Sequence, residues 1–229
     1  MMKTPLIVVN FKNYEHATGK KALELARIHQ KVARQTGVNF AIAVQPLDLR
    51  MIAENVDLPV LAQHFDPVEL GAFTGHISPH ALKEAGAIGS LINHAERKMP
   101  PETIKKSIEM AHQIGFFTIV CAETAQAGKG LNQFNPDFIA IEPPELIGGD
   151  VSVSTAKPEL ISDAVKIIGS GKVLVGAGIK NKMDVLRSLE LGASGVLLAS
   201  GVTKSPDPEK TLLDLAEGVL AFKKARPSL

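Results

Sequence analysis

Five polar stretches each follow directly on an apolar run: Asn10-Phe11-Lys12, Asn93-His94-Ala95-Glu96-Arg97, Glu142-Pro143-Pro144, Gly176-Ala177-Gly178 and Ala199-Ser200-Gly201. Together they supply a cation, an imidazole, a carboxylate and two glycine-containing turns. Gly178 lets backbone N–H groups approach an anion closely, as a phosphate grip requires. Glu142 can act as a base. His94, when neutral, can donate a hydrogen bond to a carbonyl oxygen, and Lys12 can stabilise the negative charge that develops. A base, a carbonyl polariser and a phosphate grip describe proton abstraction next to a carbonyl, through an enediolate.

Each residue alone has a plainer reading. A lysine after a strand is usually a surface residue, a lone histidine is more often structural, and paired glycines can serve tight connections. Their common position raises the functional reading. The stretch Glu142-Pro143-Pro144-Glu145-Leu146-Ile147-Gly148-Gly149 adds a moving part. Proline stiffens its entrance and the glycines free its exit, so it reads as a lid that excludes water from a reactive enediolate. A simple proline turn is the alternative.

The elements that must position these residues are short apolar runs at 6–11, 40–44, 59–62, 88–92, 117–121, 138–141, 172–175 and 195–198. Each is mostly apolar on both faces, as a strand buried on both sides should be. Helical stripes alternate with them. Ala22, Leu25, Ala26, His29, Val32 and Ala33 form one, and Ile104, Ile108, Ala111 and Ile114 another. Pro158 opens a helix carrying Ile161 and Ala164, Asn181 caps one carrying Val185 and Leu189, and Leu212 to Leu220 lie on the last. Residues 71–79 predict an ordered loop followed by a short helix. Residues 125–135, rich in Gly, Asn and Gln, predict a shortened or missing helix after strand five. Eight parallel-type strands with crossovers predict one closed (β/α)8 barrel over residues 1–229, with its site at the carboxyl ends of the strands. A doubly wound open sheet would need two more polar edge strands.

A formal net charge of +1 gives no pull toward nucleic acid or a membrane surface. The first apolar stretch stops at Asn10, too short for a signal-peptide core or for the roughly 20 residues of a membrane span. One cysteine, Cys121, permits neither an intramolecular disulfide nor a cysteine-based metal cluster. A cytoplasmic setting is expected. His76 and His80 are spaced i, i+4, but Pro79 and a loop interrupt any helical face, so no metal site is expected.

At this point the chain resembles the triosephosphate isomerase family along essentially its whole length. The blocks VVNFKNY, GAFTGHIS, INHAERK, AIEPPELIGG, VGAGI and GVLLASGVTK carry the resemblance. It implies a TIM barrel interconverting dihydroxyacetone phosphate and glyceraldehyde 3-phosphate, in glycolysis and gluconeogenesis, without cofactor or metal. By position, Glu142 resembles the family's base, His94 its electrophile, and Lys12 and Asn10 its substrate-contacting polar groups. A glutamate base, a neutral histidine and a closing loop are established features of that family, not deductions from this chain. Glu96 matches a carboxylate that pairs with and positions the lysine. Ile147, Gly178, Ala199 and Ser200 fall where the family offers backbone groups to the phosphate. The resemblance also implies a homo-oligomer, dimer or tetramer, in which Thr74 reaches into a neighbouring subunit and buttresses Lys12.

The departures point to the shorter archaeal branch. Phe11 stands where tryptophan is usual, Ala95 where serine is, and Gly149 replaces a common lid threonine. Two other readings stay open. Another phosphate-binding barrel explains the glycine turns but not Asn10, Lys12, His94 and Glu142 together. A non-catalytic metabolite-binding barrel would not need every matched position occupied.

Overall fold

Alternation along the first strand sets the architecture. In β1 (Leu6–Asn10), Leu6 and Val8 point into one apolar cluster while Ile7 and Val9 join another. Ala41 and Ala43 of β2 (Asn39–Val44) and Leu61 of β3 (Val60–Ala62) share the first cluster, as do Leu91 of β4 (Gly89–Ile92) and Cys121 of β5 (Phe117–Ala122). Ala140 of β6 (Phe138–Ile141), Leu174 of β7 (Val173–Gly176) and Leu197 of β8 (Gly195–Leu198) complete it. That cluster is the barrel interior, a packed core rather than a pore. All pairings are parallel, and β1 pairs with both β2 and β8, so the sheet closes in the order β1 to β8. Closure leaves no polar edge strand, which is why every run reads as mostly apolar. This computed structural model describes residues 2–143 and 153–226.

The outward-facing strand residues pack under helices. They are α1 (Lys20–Thr36), α2 (Pro46–Ala53), α3 (Pro79–Glu84), α4 (Pro101–Gln113) and α5 (Ala125–Asn132). Then follow α6 (Val153–Ala156), α7 (Pro158–Ile168), α8 (Lys182–Glu190), α9 (Ser200–Thr203) and α10 (Pro208–Ala225). Ala22, Leu25, Ala26, His29 and Val32 of α1 are buried, as their spacing demands. Pro101, Pro158 and Pro208 occupy first turns, where a missing N–H costs nothing. Asn181 caps α8, its Oδ1 accepting from the N–H groups of Met183 at 2.9 Å and Asp184 at 3.1 Å.

The connection after β5 is a shortened helix, not a missing one. Thr124 caps α5 by accepting from Ala127 N–H at 3.1 Å. Gly128 then lets the helix lie close on the sheet: a methyl there would sit 2.8 Å from Ile168 Cδ1 and 3.1 Å from Ile141 Cδ1. Its glycines lower helix propensity, and tertiary packing overrides that. Helix α2 was not foreseen in the sequence; Pro46 starts it, and it buries Leu49 and Ile52. Among the described residues no helix is long and apolar enough to cross a membrane.

Candidate active site

The carboxyl end of β1 supplies the lysine. Asn10 is the last residue of the strand, and its Oδ1 accepts from Lys12 N–H at 3.0 Å, a short loop within the chain. That bond turns the backbone sharply: Lys12 stands at φ +49, a region where non-glycine residues are uncommon. Its ammonium pairs with Glu96 Oε1 at 2.7 Å. Gln63, just past β3, donates its Nε2 to Lys12 O at 3.0 Å and to Ala43 O at 3.3 Å, bracing the turn.

A second sharp turn follows β4. Asn93 stands at φ +61, its Nδ2 donating to Cys121 O at 3.0 Å and its Oδ1 accepting from Met99 N–H at 2.9 Å. The turn brings His94 into the mouth, where it is buried. Glu96 N–H donates to His94 Nδ1 at 3.1 Å. An amide N–H can only donate, so Nδ1 carries the lone pair and the neutral ring holds its proton on Nε2. Thus Glu96 serves twice: its side chain holds the lysine and its backbone fixes the imidazole tautomer.

Nε2 of His94 faces Glu142 Oε1 at 3.8 Å, beyond hydrogen-bond length, so the two converge without consuming each other. Glu142 follows β6 and is 6% exposed. Its Oε2 is buried with no hydrogen-bond partner among the described residues. Buried carboxylate oxygens are normally satisfied, so this one keeps an open hydrogen-bonding capacity among the described residues. Next to it, burial and then the Glu142 charge push the Cys121 thiol well above its ordinary value. It stays a thiol and makes a poor nucleophile.

The turns after β7 and β8 close the mouth. Ala177 and Gly178 both stand at φ +73. Ser200 and Gly201 open α9, whose first N–H groups have no partner within the helix. The two turns press together, since a methyl on Gly201 would lie 2.9 Å from Ile179 O. A cavity of about 40 Å³ is lined by Asn10, Lys12, His94, Glu142, Gly178, Ala199 and Ser200, among others. A neighbouring cleft of about 490 Å³ shares Asn10, Lys12 and His94 and adds Glu96. Another cavity, about 990 Å³, lies at the opposite end of the barrel around Met2, Leu6, Phe40 and Phe117. That is the stability face of such barrels, and none of the described candidate residues lines it.

Thr74 is not brought to this mouth within one chain; it sits on the exposed stretch 69–76. Pro143 is buried beside Glu142, whereas Pro144, Glu145, Leu146, Ile147, Gly148 and Gly149 lie outside the described residues. His76 is exposed, and His80 is half-buried with its Nε2 3.4 Å from Glu69. Sequence reasoning missed Gln63, Asn93 and Gly201. The last two stand in polar stretches already singled out, and their type, asparagine or glycine after a strand, is the available signal for a turn.

Fold and mouth together define a (β/α)8-barrel enzyme with a carboxylate, an imidazole and a lysine around one cavity. Residues 5–218 match the family described as triosephosphate isomerase. The chain is 43% identical over 221 residues to the triosephosphate isomerase of Methanobacterium bryantii, covering 95% of this chain and 98% of that one. It is 44% identical over 214 residues to that of Methanocaldococcus jannaschii, covering 92% and 98%. A crystal structure of triosephosphate isomerase from Bartonella henselae shares the fold at TM-score 0.76 and 18% identity, over 95% of this chain and 99% of that one. The chain belongs to the triosephosphate isomerase family, and it is an isomerase.

Proposed function

We propose that this enzyme interconverts dihydroxyacetone phosphate and D-glyceraldehyde 3-phosphate through an enediolate, as a step of glycolysis and gluconeogenesis. Glu142 removes the proton from one substrate carbon and returns it to the other. His94, donating from Nε2, polarises the carbonyl and passes protons between the two oxygens. Lys12, held by Glu96, stabilises the developing oxyanion, and the amide of Asn10 contacts the substrate while its oxygen holds the Lys12 turn. The N–H groups around Gly178, Ala199 and Ser200 grip the phosphate, joined by Ile147. Residues 143–149 close over the site. No cofactor or metal takes part.

The observation that carries this reading is the convergence of buried Glu142 and His94 at 3.8 Å, with the imidazole proton directed to the mouth by Glu96 N–H. The exposure of Leu47 (90%), Leu70 (74%) and Phe73 (43%) supports a homo-oligomer, dimer or tetramer, in which Thr74 reaches a neighbour's Lys12. The archaeal relatives and the short α5 support placement in the archaeal branch, and the lone buried thiol suits a cytoplasmic enzyme.

The test is a coupled NADH assay on glyceraldehyde 3-phosphate without added metal, comparing wild type with Glu142→Ala. Turnover should fall by at least the ~10²–10⁴-fold typical of a general base, with inhibition by inorganic phosphate retained. Equal loss of phosphate affinity would assign Glu142 a folding role instead.

A further inference from the structure

We infer that Gly176 is a positioning residue for the base: the side chain it lacks is the space in which Glu142 holds its carboxylate. This rests on the reading of Glu142 as the base. The sheet itself makes them neighbours. Ile141 of β6 is in register with Val175 of β7, so one step further Glu142 and Gly176 lie side by side. Ala140 and Leu174, two residues earlier on each strand, point into the barrel interior. By alternation Glu142 and Gly176 point the same way, one layer higher, where interior and mouth meet.

In that layer every other barrel position would be filled by a side chain. Here Glu142 lies across its neighbour. A methyl on Gly176 would fall inside contact distance of Glu142 Cγ, 2.9 Å from Oε1 and 3.0 Å from Cδ. All three nearest atoms belong to the same side chain. Glu142 is 6% exposed, so it cannot yield by swinging into solvent without unpacking the mouth. Other strand glycines differ. A methyl on Gly89 would meet the carbonyl of Phe117, and one on Gly195 the carbonyl of Leu6; those glycines let strands approach. Gly176 also has no conformational reason to be glycine, since its φ is not in the left-handed region. Alanine fits its backbone, and its methyl would meet Glu142 first.

The prediction for Gly176→Ala is a loss of kcat. A misplacement of about 1 Å costs on the order of 10²-fold, so kcat should fall by roughly that factor. KM and the inhibition constant of inorganic phosphate should stay within about threefold, because the phosphate turns keep their geometry. A thermal-denaturation cycle separates positioning from a backbone role. Gly176→Ala should lower Tm in the wild-type background and leave it unchanged in Glu142→Ala, where the colliding atoms are gone. Wild-type kcat in Gly176→Ala, or an equal fall in Tm on both backgrounds, would overturn the inference. If Gly176→Ala alone fails to fold, the double variant must fold for the inference to stand. Full turnover by Glu142→Ala would instead remove Glu142 as base, while the Tm cycle would still report whether the two positions collide.

Discussion

Lys12 is held in a strained backbone conformation by two polar side chains, Asn10 within its own turn and Gln63 from the end of β3, two strands away. Strain of this kind persists only where surroundings over-determine it, and it fixes where the ammonium points. Gln63→Leu removes a donor shared by two carbonyls that the new side chain cannot satisfy. Stability should fall by about 1–3 kcal/mol, read by urea denaturation, and KM should rise as Lys12 relaxes. An unchanged KM would mean that Asn10 alone keeps the turn. The candidates Asn10, Lys12, His94 and Glu142 each stand at or just past the end of an apolar run in the sequence, and the structure sets these four around one cavity. Gln63 was not legible. It follows β3 like any surface glutamine, and its importance lies in a bond to a residue 51 positions away. Nor was the double use of Glu96, whose side chain predicts an ion pair but whose backbone contact with His94 depends on a left-handed turn at Asn93.

At the scale of elements, the strands were legible almost to the residue, because burial on both faces leaves a mostly apolar run. Helices were legible where one stripe is long enough. Helix α2 has eight residues and a short stripe, and its buried Asp48 accepts from Gly19 N–H at 2.8 Å, a role that hydrophobic patterning does not register. Glycine misleads in the same way, since its helix propensity is poor whether or not packing requires it. Gly218 lies within α10, where a methyl would collide with the carbonyl of Lys182 and sit 2.9 Å from Val185 Cβ. It is what lets α10 lie against the start of α8. Gly130 of α5 has nothing within 4 Å of the corresponding position. The same substitution should therefore have opposite signs. Gly218→Ala should destabilise by about 1–3 kcal/mol through overpacking, and Gly130→Ala should stabilise by about 0.5–1 kcal/mol through helix propensity. Chemical denaturation of both variants measures this, and equal signs would mean that packing does not decide between the two glycines.

For the whole molecule, closure of the barrel was legible as the absence of any polar edge, but its dependence on pH was not. His29 looks in the sequence like one more member of the α1 stripe. In the fold it is fully buried, 5.4 Å from the Phe11 ring and 6.2 Å from the Phe40 ring, where α1 packs on β1 and β2. Its Nδ1 lies 2.8 Å from Leu25 O and donates to it, while its Nε2 has no partner among the described residues. Burial lowers it from 6.5 to about 4, against a smaller opposing effect of the Leu25 carbonyl. The folded chain thus keeps His29 neutral where the unfolded chain protonates it. Because the folded value is the lower one, the unfolded state binds more protons between these limits, and stability falls as pH drops from 6.5 toward about 4. At about 1.4 kcal/mol per pH unit, this one imidazole removes about 3 kcal/mol across that window. Buried His64 is also lowered, chiefly by burial, and adds loss in the same direction. Asp66 is lowered too: the Ile77 N–H and His64 outweigh its burial, and its contribution is lost as the carboxylate protonates. Acid should therefore lower the stability of the fold, with His29 at the packing of α1 on β1 and β2 carrying the largest share. Urea denaturation of wild type and His29→Leu at pH 7, 5.5 and 4 tests this. The variant's stability should fall less steeply, with the gap between the two proteins shifting by about 3 kcal/mol over the series. Parallel curves would mean that the imidazole gains a proton without cost and that the acid response belongs to other groups.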